Sequence, residues 1–226
     1  MDNPDASNEA KVSVHSDIEV GTGPLAQVTL LAAGDSSEQI YDDWAATYES
    51  DLVRNGYLSP ALCVDALAAA VGDADLTSLA VVEYGCGTGL VGAELASRGV
   101  TDVTGVDLSR GMLDIAAAKR VYRELIQADL TTEIELANDR FEACLCVGSM
   151  GNGHLAPSHI AEMLRPVRSG SPIVFYMNAL PYRDDDYAWQ FARLEDDGVW
   201  AIERIEESNY MASLDRPGYM IVARSL

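Results

Sequence analysis

The fold of this chain is decided by Leu79-Ala80-Val81-Val82-Glu83-Tyr84-Gly85-Cys86-Gly87-Thr88-Gly89, an apolar run that ends in an acid and a glycine-rich loop. The run from Leu79 to Tyr84 is typical of a parallel strand that is buried on both faces. The alternating glycines allow a sharp turn and a close approach of a ligand, because they carry no Cβ. We therefore predict a strand, a glycine-rich turn and a helix that begins at about Leu90.

These glycines fit two kinds of ligand. Gly87-Thr88-Gly89-Leu90-Val91-Gly92 also spells the dinucleotide fingerprint, in which a helix N-terminus receives a pyrophosphate. A fingerprint that starts at Gly87 would bury Glu83 in the strand without a partner, and one that starts at Gly85 has leucine at the sixth position. An acid here repels a pyrophosphate and attracts an ammonium group. The pattern favours a ligand with positive charge, and a nucleotide-binding oxidoreductase is the alternative.

The composition excludes several classes of partner. A chain of 226 residues with 48% apolar residues suits one α/β domain with a sizeable core. The net charge of −21 argues against nucleic acid, because phosphate binding needs a basic surface. No stretch reaches the length of a membrane span, and the N-terminus is acidic where a secretory signal would be basic. We expect a cytoplasmic monomer or homodimer without a nucleic-acid or membrane partner.

The cysteines and one acidic run are interpreted as structural. The four cysteines show no C-x-x-C spacing, so we expect neither a disulfide framework nor a metal site. Cys144 and Cys146 alternate within an apolar strand and therefore face the same side, as small core residues. Asp184-Asp185-Asp186 opens a predicted helix, where acids are favourable to the helix dipole and commonly solvated, with a Mg²⁺ site as the alternative.

The part of the chain before residue 79 is predicted to be an arm followed by helices. Residues 1–34 have no clear period and predict a flexible acidic arm. Ser36-Ser37-Glu38-Gln39 is a capping box that opens a helix with Tyr41, Trp44 and Tyr48 on one face. Ser59-Pro60 predicts a second helix, with Ser59 at its N-cap and Gly72 at its end. The expected domain spans 35–226.

Strands and helices alternate after residue 79. The predicted strands are 79–84, 103–106, 124–128, 141–147, 173–177, 199–206 and 219–224, and the predicted helices are about 89–98, 110–119, 158–164 and 184–195. The last two strands are joined by a turn near Pro217-Gly218. Repeated strand–helix–strand units imply a parallel sheet with helices on both faces. We expect an α/β fold with a doubly wound, mostly parallel seven-stranded sheet and an antiparallel terminal strand.

Acidic residues follow three successive predicted strands. Glu83 precedes the glycine loop, Asp107 ends the second strand and Asp129 follows the third. Because ligands of an open parallel sheet sit at the carboxyl ends of its strands, we expect these acids in one site. Asp107 can accept both hydroxyls of a ribose, with a helix N-cap as its alternative role, and Asp129 can accept an adenine amino group. Met112 can cover the adenine face, with a place in the core as its alternative.

The strand, acid and glycine-rich turn resemble the first cofactor motif of the class I S-adenosylmethionine-dependent methyltransferases. The chain is most similar to their Williams–Beuren-region methyltransferase-like group. The marks of this group here are Tyr41-Asp42-x-Trp44-Ala45-x-x-Tyr48, Gly56-Tyr57, Gly153-His154 and Pro217-Gly218-Tyr219. The resemblance covers about residues 36–226. It implies a Rossmann-like methyltransferase fold and a helical lid, at about 36–72, whose Tyr41 and Tyr48 touch the cofactor.

The expected cofactor is S-adenosyl-L-methionine, with S-adenosyl-L-homocysteine as the product. The predicted cofactor-binding residues are Tyr41, Trp44, Tyr48, Glu83, Tyr84, Gly85, Cys86, Gly87, Gly89, Asp107, Leu108, Ser109, Met112, Asp129, Leu130, Val147 and Gly148.

Methyl transfer is an in-line displacement that needs alignment and the exclusion of water. His154 is the candidate catalytic base where the acceptor must lose a proton, and a packing or orienting role is its alternative. Tyr176, Tyr182 and Trp189 are candidates for lining an acceptor pocket, with a place in the core as their alternative. We expect a small O, N or S acceptor. A non-catalytic cofactor-binding regulatory protein and a protein methyltransferase are the alternatives.

Overall fold

A seven-stranded sheet forms the centre of the computed structural model, which describes residues 23–29, 31, 37–72, 74–151, 154–184, 187–214 and 216–226. The strands are β1 (Ala80–Tyr84), β2 (Asp102–Asp107), β3 (Glu124–Gln127), β4 (Ala143–Val147), β5 (Pro172–Asn178), β6 (Trp200–Asn209) and β7 (Pro217–Ser225). Their order is β3-β2-β1-β4-β5-β7-β6. The first five pair in parallel, and β7 runs antiparallel to both β5 and β6. The predicted sheet is confirmed.

Helices cover both faces of this sheet. They are α1 (Pro24–Thr29), α2 (Glu38–Arg54), α3 (Ser59–Val71), α4 (Leu90–Ser97), α5 (Arg110–Lys119), α6 (Ile160–Leu164), α7 (Ala179–Asp184) and α8 (Tyr187–Asp196), with 3-10 turns at Leu76–Ser78 and Pro157–His159. One buried cluster joins alternate strand residues to α2, α3 and α4, and a second joins the other set to α6 and α8. The central strands β1, β4 and β5 are therefore almost entirely apolar, because both of their faces are buried.

Strand β4 illustrates this division. Cys144 and Cys146 belong to the cluster under α6 and α8, whereas Leu145 belongs to the cluster under α2, α3 and α4. All four cysteines of the chain are buried and unbonded to one another. The expectation that Cys144 and Cys146 fill the core on one side of the sheet is confirmed.

The C-terminal part differs from the prediction in two respects. The predicted polar helix at about 184–195 is present as α8 (Tyr187–Asp196), but the short helix α7 before it was not predicted. The expected turn at Pro217-Gly218 belongs to β7, where these residues pair with Asn209 and Ser208. Proline is tolerated at the first residue of a strand, and a Cβ on Gly218 would lie 2.6 Å from the Tyr176 ring. Gly218 therefore marks a close approach inside the sheet.

Two element starts also differ from the prediction. Helix α3 begins at Ser59 itself and Leu58 occupies the N-cap, so Ser59 is not the cap. Strand β4 begins at Ala143, and Phe141 makes an isolated bridge to Val167. Both shifts are of one or two residues. They arise because the ends of an element depend on which backbone groups find tertiary partners.

Some predictions fall on residues outside the described part. These are most of the arm, Ser36 of the capping box, Gly153, and Asp185 and Asp186 of the acidic run. Within the predicted arm, Pro24–Thr29 forms α1, and Val28 packs against the cluster that includes Trp44 and Leu52. No helix in the described ranges is both long enough and apolar enough to cross a membrane.

Candidate functional site

An open cleft of about 1000 Å³ lies at the carboxyl ends of β1, β2 and β4. Parallel strands place their carboxyl ends at one edge of the sheet, and the loops that follow them surround this edge. The cleft is lined by Glu83, Asp107 and Asp129, which lie at or just beyond the carboxyl ends of three strands that are neighbours in the sheet. The sequence pattern of acids at strand ends therefore becomes a cluster in space.

The glycine loop forms the floor of the cleft. Gly85, Gly87 and Gly89 have φ values of +66°, +53° and +88°, a region that glycine occupies without steric cost. A Cβ built on Gly87 meets no atom within 4 Å, because this residue faces the open cleft. The loop therefore presents bare backbone to any ligand, as a cradle for S-adenosylmethionine requires.

Asp107 ties this loop to the start of α5. Its Oδ2 accepts the backbone N–H of Gly87 at 2.7 Å, and its Oδ1 accepts that of Ser109 at 2.9 Å. Burial raises the pKa of Asp107, and these backbone hydrogen bonds partly oppose the shift. The cap of α5 is Ser109, which accepts the N–H of Met112, so the alternative role of Asp107 as that cap is wrong.

Glu83 is a carboxyl buried beside the first turn of α4, with 2% of its surface exposed. Its Oε2 accepts the hydroxyl of Tyr122 at 2.7 Å, and the carboxyl also accepts a hydrogen bond from the Gly92 backbone. Burial raises the pKa of Glu83 to about 8, and both hydrogen bonds lower it. The sequence argument that a buried Glu83 would lack a partner therefore misses Tyr122.

Asp129 and Met112 border the other end of the cleft. The Oδ1 atom of Asp129 accepts the N–H of Thr131 at 2.9 Å and its hydroxyl at 2.7 Å, which fixes the turn after β3. Met112 reaches the cleft from α5 although only 2% of its surface is exposed. Its place in the core is confirmed, and contact with an adenine ring stays a prediction that its position in the cleft lining allows.

Three tyrosines and a histidine form the wall opposite the strands. Tyr41 and Tyr48 come from α2, and Tyr57 comes from the loop before α3. The Tyr41 hydroxyl lies 3.0 Å from Nε2 of His154, across the cleft from its own helix. Burial, and then the neighbouring Tyr48, hold the pKa of Tyr41 well above its usual value. Tyr41 is therefore neutral at physiological pH.

Most of the predicted site residues meet in this cleft. Those that line it are Tyr41, Tyr48, Glu83, Gly85, Cys86, Gly87, Asp107, Leu108, Ser109, Met112, Asp129, Leu130, Val147, Gly148 and His154. Trp44, Tyr84 and Gly89 are not among the lining residues. The indole of Trp44 is buried and donates to Asp51 at 2.8 Å, and the Tyr84 side chain lies in the core on the other face of the sheet.

The aromatic residues considered for an acceptor pocket do not line the cleft. Tyr176 is buried and donates to the Ser208 carbonyl at 3.0 Å. Tyr182 stacks on Tyr219 with 4.0 Å between ring centres, and Trp189 is 60% exposed on α8. Tyr176 and Tyr182 therefore take the alternative place in or against the core, whereas Trp189 lies on the surface and matches neither expectation.

Three residues that matter to the site were missed. Tyr57 lines the cleft, Tyr122 contacts Glu83 from behind the loop, and Asp42 accepts hydrogen bonds from the Ser109 hydroxyl and from the Gly111 backbone. Tyr57 and Asp42 stand inside motifs that carried the family resemblance, so a signal existed for them. Tyr122 has no sequence signal, because its contact with Glu83 spans 39 residues.

Comparisons with known proteins agree with this geometry. Residues 81–170 match the family model of a methyltransferase domain. Methyltransferase-like protein 27 of Homo sapiens is 34% identical over 170 residues, which are 71% of this chain and 66% of that protein. The chain therefore spans slightly less than two thirds of this relative's length.

Solved structures share the fold at low identity. An S-adenosylmethionine-dependent methyltransferase from Mesorhizobium loti is 18% identical with a TM-score of 0.56, covering 71% of this chain and 96% of that one. The [4+2]-cyclase SpnF is 14% identical with a TM-score of 0.65, covering 86% and 98%. Residues 81–170 are therefore a methyltransferase domain, and the sheet order, the glycine loop and the relative at 34% identity agree with the class I S-adenosylmethionine-dependent methyltransferases.

Proposed function

We propose that this chain transfers the methyl group of S-adenosylmethionine to a small-molecule acceptor. The observation that carries the proposal is the meeting of Glu83, Asp107 and Asp129 around a loop whose Gly87 faces open space. A dinucleotide fits this site poorly. The Glu83 carboxyl already accepts the Gly92 N–H at the start of α4, where a pyrophosphate would need free amides.

Each acid is assigned one part of the cofactor. Asp107 accepts the ribose hydroxyls, since a carboxylate retains lone pairs after accepting two backbone N–H groups. Asp129 accepts the adenine amino group, with Met112 against the ring. Glu83 attracts the ammonium of the methionine moiety. When bound, the cofactor supplies an electrophilic methyl group on a sulfonium that departs as a neutral thioether.

The tyrosine wall aligns the reactants and excludes water. Tyr41 and Tyr48 stand on α2, with ring centres 6.1 Å apart in an edge arrangement, and both are buried enough to remain neutral. Aromatic faces also attract cations, which suits a site that holds a sulfonium. We assign α2 and the following loop, within residues 36–72, as the lid that covers the cofactor.

The charge of the cleft supports a neutral or cationic acceptor. Glu38, Glu83, Asp107 and Asp129 line it, and no lysine or arginine does so among the residues that the structure describes. A carboxylate or phosphate on the acceptor would find no lysine or arginine among these described lining residues. For a hydroxyl or ammonium acceptor, we assign His154 as the base, with Tyr41 holding its ring in place.

Calorimetric titration tests the cofactor assignment. S-adenosylhomocysteine should bind, and NAD and NADP should not; heat from the nicotinamide cofactors alone would refute the proposal. Asp107→Ala should weaken S-adenosylhomocysteine binding by roughly 1–3 kcal/mol. Asp102→Ala is the matched control, because Asp102 lies at the opposite end of the same strand in an ion pair with Arg123.

Labelled S-adenosylmethionine tests the acceptor. We incubate the protein with metabolite extracts, basic peptides and RNA, and expect label in the metabolite fraction. Label in peptides alone would indicate a protein methyltransferase, and cofactor binding without transfer would indicate a regulatory protein.

Once an acceptor is found, His154→Ala should strongly slow methyl transfer to a hydroxyl or ammonium acceptor. An unchanged rate with such an acceptor would remove His154 from the mechanism.

A further inference from the structure

The ring of Tyr122 lies in a slot built from three glycines. A Cβ on Gly89 would come within 2.9 Å of the ring, and one on Gly105 would come equally close. A Cβ on Gly92 would overlap the ring and its hydroxyl. The glycine at the end of the dinucleotide-like pattern therefore makes room for a tyrosine side chain and not for a pyrophosphate.

The slot aims the Tyr122 hydroxyl at one target. This hydroxyl donates to Oε2 of Glu83 at 2.7 Å, from the loop between α5 and β3. The Gly92 backbone hydrogen-bonds to the same pair at the first turn of α4. Tyr122 itself does not line the cleft, whereas Glu83 does. The Tyr122 hydroxyl therefore reaches a ligand through Glu83, whereas its ring supports the glycine loop.

We propose that Tyr122 is a positioning residue that holds the Glu83 carboxylate at the start of α4, so that the site selects a ligand with an ammonium group. This inference rests on the proposed function, because it concerns the methionine end of the cofactor. The glycine loop alone fits ligands of either charge. We attribute the preference for a cationic ligand to Tyr122, which lies behind this loop and acts through Glu83.

The energetic reason is the cost of an ionised acid in the protein interior. Burial favours the protonated form of Glu83, and the hydrogen bond from Tyr122 favours the ionised form. Without the hydroxyl, the pKa of Glu83 rises further, and a larger fraction of the protein presents a neutral acid to the ligand. A neutral acid has lost its attraction for an ammonium group but keeps its volume.

Two ligands separate positioning from general damage. S-adenosylhomocysteine carries the ammonium group, and 5′-methylthioadenosine is the same nucleoside without the amino acid. Tyr122→Phe keeps the ring in its slot and removes the hydroxyl. We expect it to weaken S-adenosylhomocysteine about tenfold at pH 7, the scale of a hydrogen bond to a charged group, and to leave 5′-methylthioadenosine within twofold. Equal loss for both ligands, or no loss for either, would overturn the proposal.

Controls keep this result distinct from a failure of the proposed function. Tyr219→Phe removes an exposed hydroxyl that donates to Glu207 at 2.8 Å, and should change neither affinity. Gly92→Ala, which displaces the same ring from the helix side, should reproduce the selective loss and serves where Tyr122→Phe is poorly folded. If unmodified protein fails to bind S-adenosylhomocysteine, the proposed function is refuted. If it binds and both variants retain the affinity, only the role of Tyr122 is refuted.

Discussion

Two tyrosine–glutamate pairs of this molecule have nearly the same geometry and opposite electrostatics. Tyr122 donates to Glu83 at 2.7 Å beside the cleft, and Tyr219 donates to Glu207 at 2.8 Å on the β6–β7 pair. The pKa of Glu83 is raised to about 8 by burial. The pKa of Glu207 is lowered by the Tyr219 hydroxyl and then by Arg183. The same type of hydrogen bond is therefore made to a carboxyl whose pKa is raised in one place and to a carboxyl whose pKa is lowered in the other.

Surroundings explain this difference. At Glu207, water solvates the carboxylate and Arg183 lies 2.9 Å away, so the ionised form has support from two sides. At Glu83, burial removes the water, and the neighbouring acid Asp107 raises the pKa of the carboxyl further. A cationic ligand in the cleft would therefore favour the ionised form of Glu83. The β6–β7 edge contains the same residue types with their charges already balanced.

The largest expected effect is on the pH dependence of stability. Because the folded state raises the pKa of Glu83 from 4.5 to about 8, its contribution to stability is complete below pH 4.5 and is lost as the pH rises to 8. Relative to Glu83→Gln, unmodified protein should lose on the order of 4 kcal/mol over this window. Urea unfolding at several pH values measures the difference. If the free energy of unfolding changed with pH equally in the two proteins, Glu83 would not titrate in this way.

A smaller loss of stability is expected when the slot around Tyr122 is filled. Gly92→Ala should destabilise the protein by about 1–3 kcal/mol through overpacking, although alanine is favoured over glycine within a helix. The matched background is Tyr122→Leu, in which the ring is gone and the added methyl group has room. Thermal unfolding of the four proteins forms a double-mutant cycle. Additive losses would mean that the ring and the methyl group do not compete for space.

Cofactor binding should distinguish the two regions by amide exchange. The cleft side of α2 carries Tyr41 and Tyr48, whereas β6 and β7 lie on the far side of β5. We expect S-adenosylhomocysteine to slow exchange in α2 about fivefold, equivalent to roughly 1 kcal/mol, the scale of one hydrogen bond, and to leave β6 and β7 unchanged. Mass spectrometry of exchanged peptides measures both regions at once. Equal protection of α2 with and without ligand would identify it as a fixed part of the core.

The smallest effect is expected at the exposed pair. Since the pKa of Glu207 is lowered in the folded protein, its contribution to stability is present above the pKa of the unfolded chain and is lost only in acid. Solvent screens this pair, so Glu207→Gln should leave the unfolding curve at pH 7 within experimental error. The control is Glu83→Gln in the same buffer. A Glu207 variant that alters S-adenosylhomocysteine affinity would show that the β6–β7 edge communicates with the cleft.

Much of the fold was predictable because the signals are local. The apolar run before Tyr84, the glycine loop and the helix from Arg110 to Lys119 each follow from neighbouring residues, and the structure has them within one or two positions. The alternation of strands and helices predicted the sheet. The errors at Ser59 and at Pro217-Gly218 arose where a turn-like pattern was placed inside an element by its tertiary neighbours.

The candidate site was predictable to the extent that topology alone brings strand ends together. Glu83, Asp107 and Asp129 meet because parallel strands deliver their carboxyl ends to one edge. The aromatic stripe of α2 was predicted as one unit, and its three rings do contact one another, with ring centres 4.8 to 6.1 Å apart, but only two of them line the cleft. Tyr41 and Tyr48 face the cleft, whereas Trp44 turns into the core and donates to Asp51. Helical spacing defines a shared face but does not decide how deeply each ring is buried.

The sequence by itself determined the class of fold, the glycine loop and the sign of the charge beside it, since these depend on residue type and on short spacings. Only the tertiary structure decided how that charge behaves. Tyr122 reaches Glu83 across 39 residues, and Gly105 of β2 completes its slot. Packing density and distance from water set the pKa of a carboxyl, and both are properties of the assembled interior that no local pattern contains.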